Sequence, residues 1–110
     1  MSLDIHKSDY FISDFELGFM WYAREAGWNI GLAYLGAVDR TLDLLASHPG
    51  VGRVRRYRDG RLRRVRSFRV KPPFNKHLIF YRYDASTLFA ERVIHGARDL
   101  PRRLLQPPGR

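Results

Sequence analysis

An α+β domain, with two helices laid on one face of a small and mostly antiparallel sheet, is the fold class this sequence predicts. Three observations predict it. Apolar residues recur at steps of three and four from Phe11 to Leu45, and the period drops to two beyond Arg64. Gly27 falls between the two helical stripes, so little chain separates the helices and they form an antiparallel hairpin. The 110 residues, 45% of them hydrophobic, suit a single domain over 1–110 with its own core.

Leu3, Ile5 and Lys7 alternate with polar residues and read as a short N-terminal strand. Ser8 is placed to cap a helix whose stripe is Phe11, Phe15, Phe19, Tyr22 and Ala26. Ser13-Asp14-Phe15-Glu16 also fits a capping box, which leaves open a start five residues later. Gly27 ends the helix in a left-handed cap and Asn29 is placed to cap the second, which carries Leu35, Val38, Leu42 and Leu45. Pro49-Gly50 stops it. The alternation then predicts a three-stranded antiparallel sheet. In its first strand Arg64, Arg66, Phe68 and Val70 share one face, and Val65, Ser67 and Arg69 the other. Residues 71–76 form a loop around paired prolines, which cannot donate to a ladder. His77 to Tyr83 reads as a central strand, Asp84-Ala85-Ser86 as a hairpin, and Leu88 to His95 as the last strand. The tail, 97–110, holds a helical turn at Leu100 to Leu105 before Pro107-Pro108-Gly109 frays.

Charge is concentrated rather than spread. Met1 to Gly52 carries three basic and seven acidic residues, for −4. Arg53 to Lys71 carries nine Arg, one Lys and one Asp, for +9, and the remainder carries seven basic and three acidic residues, for +4. The middle segment therefore equals the net charge of the molecule. Of its 20 basic residues 17 are Arg, which grips carboxylates and phosphates in a bidentate fork. A nucleic acid or an acidic protein segment fits such a face.

Other classes of function drop out. There is no cysteine, hence no disulfide framework, thiol nucleophile or thiolate zinc site. No apolar run approaches the ~18 residues of a membrane span, and Asp4 interrupts any signal-like start, so a soluble cytoplasmic domain is expected. His6, His48 and His77 are too widely spaced to suggest a metal site, and no cofactor is expected. Gly50-Val51-Gly52-Arg53 lacks the Gly-Lys-Ser/Thr of a phosphate-cradling loop and reads as a helix stop. Trp21, Trp28, Phe19 and Tyr22 read as core or hairpin contacts; any left exposed would anchor a partner.

Four phrases in order carry a resemblance. They are Leu44 to Gly52 (LLASHPGVG), Leu62 to Phe68 (LRRVRSF), His77 to Arg82 (HLIFYR) and Glu91 to Leu100 (ERVIHGARDL). With Asp14, Phe15 and Tyr22 on the first helix, the chain from about residue 3 to 105 resembles the RelE/ParE family of type II toxins. The last phrase is similar to the ParE branch in particular. The resemblance implies a toxin held inactive by a cognate antitoxin, ParD-like or similar. It implies DNA gyrase as the target, trapped on cleaved DNA, and no enzymatic activity of the toxin itself.

The alternative that the family allows is a ribosome-dependent messenger endoribonuclease of the RelE type. In that case Arg66 and His95 match positions where ribonuclease members carry catalytic residues, and Arg82 would share their concave face. Each also has a plain reading: His95 as a hydrogen-bonded strand end, Arg66 and Arg82 as salt-bridged or solvated heads. The tail lacks the base-stacking aromatic residue of several ribonuclease members, and Arg53 to Arg58 contains no carboxylate base; both departures weigh against RNA cleavage. The antitoxin implied is an acidic, extended segment that folds on binding. Its apolar anchors would enter a groove between hairpin and sheet, and its carboxylates would meet Arg53, Arg55, Arg56, Arg58, Arg61, Arg63, Arg64, Arg66 and Arg69. Operator DNA would be bound only through the antitoxin. The segment 53–71 is longer and more basic than the family leads one to expect, and reads as a contact surface for gyrase-bound DNA or as a mobile loop.

Overall fold

A computed structural model describes residues 2–96 and 100–109. Strand β1 (Asp4–Lys7) leads into helices α1 (Asp9–Ala26) and α2 (Trp28–Ser47). After a 3-10 turn at Pro49–Val51 come β2 (Arg53–Val54), a second 3-10 turn at Gly60–Leu62, β3 (Arg66–Arg69), β4 (His77–Tyr83), β5 (Thr87–His95) and the short helix α3 (Leu100–Leu105). The sheet has five strands in the order β1-β5-β4-β3-β2, with β1 parallel to β5 and every other pair antiparallel. The α+β class stands, with a larger sheet than expected: the N-terminal strand joins it, and a two-residue strand forms inside the basic segment. Two residues are too few to show a period of two, so β2 left no trace in the pattern.

Helix α1 starts at the earlier of its two candidate caps. Ser8 Oγ accepts from the Phe11 N–H at 3.0 Å and donates to the Glu91 carbonyl at 2.8 Å, tying the helix start to β5. Gly27 is the entire connection to α2, with φ of 99° and ψ of 160°, a region open to glycine but outside the left-handed cap expected. Asn29 is not the cap of α2; that helix already begins at Trp28. Gly18 lets the helices approach, because a Cβ there would stand 2.6 Å from the Tyr34 hydroxyl. The α2 stripe buries Val38, Leu42 and Leu45 with Leu35 packed at its margin, as its spacing predicts. On α1 only Phe11 is fully buried, Phe15, Phe19 and Tyr22 are partly so, and Ala26 is exposed.

Two cores flank the sheet. On the helical side Phe11, Tyr34, Val38, Leu42, Ile79, Tyr81 and Leu88 pack together. On the other side Leu62, Val65, Leu78, Phe80 and Ile94 are covered by Leu100 and Leu104 of α3. Leu62 and Val65 thus anchor the Arg53–Lys71 segment to the sheet, which replaces the loose-loop reading of that stretch. Its alternation holds from Val65 to Val70, but Arg64 sits in a turn before β3 and not on the strand. Of the expected tail, residues 97–99 and 110 lie outside the described residues; the helical turn at Leu100–Leu105 is as expected.

Candidate functional site

β4 places one chemically distinct region at each of its ends. At its start, His77 faces His95 across the β4–β5 ladder, with ring centroids 4.9 Å apart. Tyr22 reaches over from α1 and shares a 2.9 Å hydrogen bond with His77 Nε2. Tyr34 of α2 closes the other side at 5.0 Å from the same imidazole. Burial, with the His95 ring beside it, lowers His77 to about 4, and burial raises the Tyr22 and Tyr34 hydroxyls above their ordinary range. A cleft of about 450 Å³ opens here between α1, the second half of β5 and the tail, with Trp21 at its rim.

The wall of that cleft is held by a buried ion pair that spacing arguments do not reveal. β1 covers β5 only as far as Ala90, so the outer edge of β5 beyond it needs other partners. Asp14 supplies one: its Oδ2 accepts from the Val93 N–H at 3.1 Å and from Arg92 Nε at 2.8 Å, while Oδ1 accepts from Arg92 Nη2 at 3.0 Å. Arg92 Nη1 then donates to the carbonyls of Arg103, Leu104 and Gln106, capping α3. One guanidinium thus joins α1, β5 and the tail, and both charges are almost wholly buried.

At the far end of β4 lies the basic edge. Among the described residues, no ion pair or hydrogen bond holds the heads of Arg53, Arg56, Arg58, Arg63 or Arg64. The others are engaged. Arg55 Nε donates to Ser67 Oγ at 2.7 Å, and Arg69 Nη1 donates to the Asn75 carbonyl at 2.9 Å. Arg61 makes a two-pronged contact with Asp59, whose carboxyl these bonds hold down to about 2. Arg66 donates to the carbonyls of Gly50 and Gly52 at 3.1 and 2.9 Å and lies over the Tyr83 ring, so it pins the turn after α2 instead of meeting a carboxylate or solvent. Tyr81 helps it, accepting from the Gly52 N–H and donating to the Pro49 carbonyl.

Arg66, Arg82 and His95 do not form one site. His95 pairs with His77, five residues from Arg82 along β4, or ~17 Å at the rise of a strand. Arg66 and Arg82 leave opposite faces of the sheet but line one cleft at its end, with Arg66 turned to the Gly50 and Gly52 carbonyls and Arg82 to Glu91. The face expected to unite all three is therefore absent, because His95 stands apart from the cleft that Arg66 and Arg82 share. Ladder register decides this, and it depends on partners that a single strand's pattern does not contain. Of the aromatics expected as core or hairpin contacts, Trp28 meets Phe19 edge-on across the hairpin and Trp21 meets Tyr22 on its own helix, and both are largely exposed, at 63% and 52%. Among the described residues no group of acidic or His side chains is arranged to hold a metal ion, and no helix is long and apolar enough to cross a membrane.

The family model of the ParE toxin of the type II toxin-antitoxin system, parDE, matches residues 6–100. The chain belongs to the ParE toxin family. It is the toxin component of a type II toxin–antitoxin system, and its partner is a cognate antitoxin. Among solved structures, this ParE-family toxin is similar to a chain described as the chromosomal ParDE TA system from P. aeruginosa, with a TM-score of 0.70. The likeness covers 87% of this chain and 98% of that one at 12% identity, so it speaks for the fold alone. No curated protein matches the sequence. The glutamate at position 91 and the Asp14–Arg92 pair are what sequence reasoning missed; the phrase Glu91-Arg92-Val93 contains both β5 residues, but nothing in it says which charges are buried.

Proposed function

We propose that this toxin arrests growth in the cytoplasm by inhibiting DNA gyrase, trapping the enzyme on cleaved DNA, until its antitoxin silences it. The arginine edge carries the reading. Arg53, Arg56, Arg58, Arg63 and Arg64 present cations with no internal partner among the described residues, on a segment anchored by Leu62 and Val65. A solvated surface gains nothing from packing like charges so closely, whereas a polyanion gains a set of bidentate partners. Gyrase in its cleaved state holds DNA phosphates against protein, and such an edge suits that junction.

The antitoxin contact follows from the same geometry. An extended acidic segment can lay carboxylates along the edge and seat apolar side chains beside Trp21 and in the cleft next to it. Rim aromatics of this kind are common binding anchors. Operator DNA is then bound through the antitoxin. RNA cleavage draws no support here, since His95 stands at the far end of β4 from Arg66 and Arg82.

The deciding experiment is gyrase supercoiling and DNA cleavage with purified, antitoxin-free toxin, run beside a ribosome-plus-messenger control. Linearised plasmid with intact messenger supports the proposal. Intact gyrase function with cleaved messenger overturns it in favour of a ribonuclease, and inactivity in both assays overturns it in favour of a chain that only binds its partner.

A further inference from the structure

Where the basic edge meets the end of β4, a second cleft of about 620 Å³ opens at the end of the sheet. Arg63, Arg64, Arg66 and Arg82 line it together with Tyr83, Phe89 and Glu91. Three features set it apart from an ordinary charged surface.

The first is Arg64, with φ of +63°. A long side chain seldom adopts this left-handed conformation, and it persists only where neighbours on both sides fix the backbone. Here Leu62 and Val65 are buried on either side of the Arg63–Arg64 turn, which holds both guanidiniums at the mouth of the cleft. The second is the partly exposed ring of Tyr83, with Arg66 over one part of it and Phe89 paired to Arg82 on the neighbouring strand. The third is Glu91. The β4–β5 register slips between Phe80 and Tyr81, so Arg92 pairs with Phe80, Ala90 pairs with Tyr81, and Glu91 is the extra residue of a bulge. Its carboxylate enters the cleft and stands 3.1 Å from Arg82 Nε, at an angle that does not complete a hydrogen bond. Arg82 Nη2 donates to the Arg61 carbonyl, so the residue is tied to the basic turn and neutralised by an internal anion that leaves its Nε short of a partner.

We infer that this cleft binds single-stranded nucleic acid, with a phosphodiester held by Arg63, Arg64 and Arg82 and a base laid on Tyr83. Cations tracking a backbone beside a partly exposed aromatic ring are the elements of sequence-tolerant single-strand binding. The recess takes an unpaired nucleotide, whereas the bases of a duplex stay stacked inside it and present no face to Tyr83. Glu91 acts as a stand-in anion, holding Arg82 in place among like charges until phosphate competes for it. Burial raises the Glu91 carboxyl above its ordinary range, which agrees with an anion held at some cost. The inference rests on reading the arginine edge as a nucleic-acid surface, and it needs no gyrase.

The test is fluorescence anisotropy of antitoxin-free toxin with a labelled oligothymidylate, beside an oligouridylate and a DNA duplex, over a salt series. The single strand binds, and its affinity falls as salt rises. Arg64→Gly suits the backbone at that position, so the protein stays folded; it loses affinity about tenfold, and the salt slope shrinks by roughly one phosphate contact. Tyr83→Leu loses about tenfold with the slope unchanged. Glu91→Gln binds several-fold tighter. Preference for the DNA or the RNA strand names the source of the ligand. Arg64→Gly and Tyr83→Leu proteins that bind like the wild type, or equal binding of duplex and single strand, overturn the inference. A toxin that binds the strand through this cleft yet leaves gyrase untouched keeps the inference and loses the gyrase reading, and a gyrase inhibitor blind to the strand does the reverse.

Discussion

At the His77 end of β4 the arginines are consumed by the fold: Arg92 is bound to Asp14 and three carbonyls, and Arg103 donates to the His95 carbonyl at 2.8 Å. At the Tyr83 end Arg63 and Arg64 are exposed, and among the described residues nothing holds them. The same side chain is a structural rivet in one place and a waiting ligand in the other. Count and spacing of arginine are therefore poor guides to its use; what separates the two is whether the neighbouring backbone has unpaired acceptors. β5 runs past its partner strand and α3 ends beside it, so acceptors abound at that end. The few free acceptors at the basic edge, on Gly50, Gly52, Asn75 and Arg61, are taken by Arg66, Arg69 and Arg82, which leaves Arg63 and Arg64 for a partner.

This contrast can be broken most directly at Asp14. Asp14→Ala leaves a buried cation and an unpaired Val93 N–H, and should cost about 3–5 kcal/mol of stability by chemical denaturation. A loss under 1 kcal/mol would mean that Arg92 is as dispensable as the arginines of the edge. Next in size is an acid effect at the same end. Unfolded His77 takes up a proton near 6.5 and folded His77 near 4, so the unfolded chain binds more protons between them. Stability therefore falls as pH drops from about 6.5 to 4, by at most about 2–3 kcal/mol after solvent screening. His77→Phe should flatten that slope in thermal melts recorded across this window.

Trp21→Ala should leave folding nearly unchanged, because the ring is already half exposed, yet weaken antitoxin binding by about 2 kcal/mol in calorimetry. The smallest effect on the fold is expected where the functional effect is greatest. Arg53, Arg56 and Arg58 changed together to Ser should alter stability by no more than ~0.5 kcal/mol while abolishing toxicity in a growth assay. A folded triple variant that still stops growth would remove the edge from the mechanism.

Much of the architecture was legible in the residues, from the Ser8 cap to the two strands of the β4–β5 hairpin, because capping and periodicity are local signals. The site was less so. The pattern of residues 64–70 says which side chains share a face, but not that Arg66 would find the carbonyls of Gly50 and Gly52. Trp21 and Trp28 lie on amphipathic helices whose spacing cannot say how far the sheet reaches beneath them. The slip that turns Glu91 out of the ladder is a property of two strands together, invisible in either one. His77, too far from the other histidines in the sequence to suggest a site, sits at the junction of α1, α2 and β5, where long-range packing alone puts it.

The three carbonyls gathered by Arg92 also bear on how the protein comes into being. Asp14 waits for a residue 78 positions later, β1 finds its strand partner only in β5, and α3 is secured only once Arg92 can reach it. Contacts that join distant parts of a sequence close late. During synthesis the first half of the chain therefore leaves the ribosome as a helical hairpin with an uncovered apolar face, and it becomes a finished toxin only when β5 and the tail arrive. That interval gives a partner already present in the cell its earliest opportunity to engage the chain.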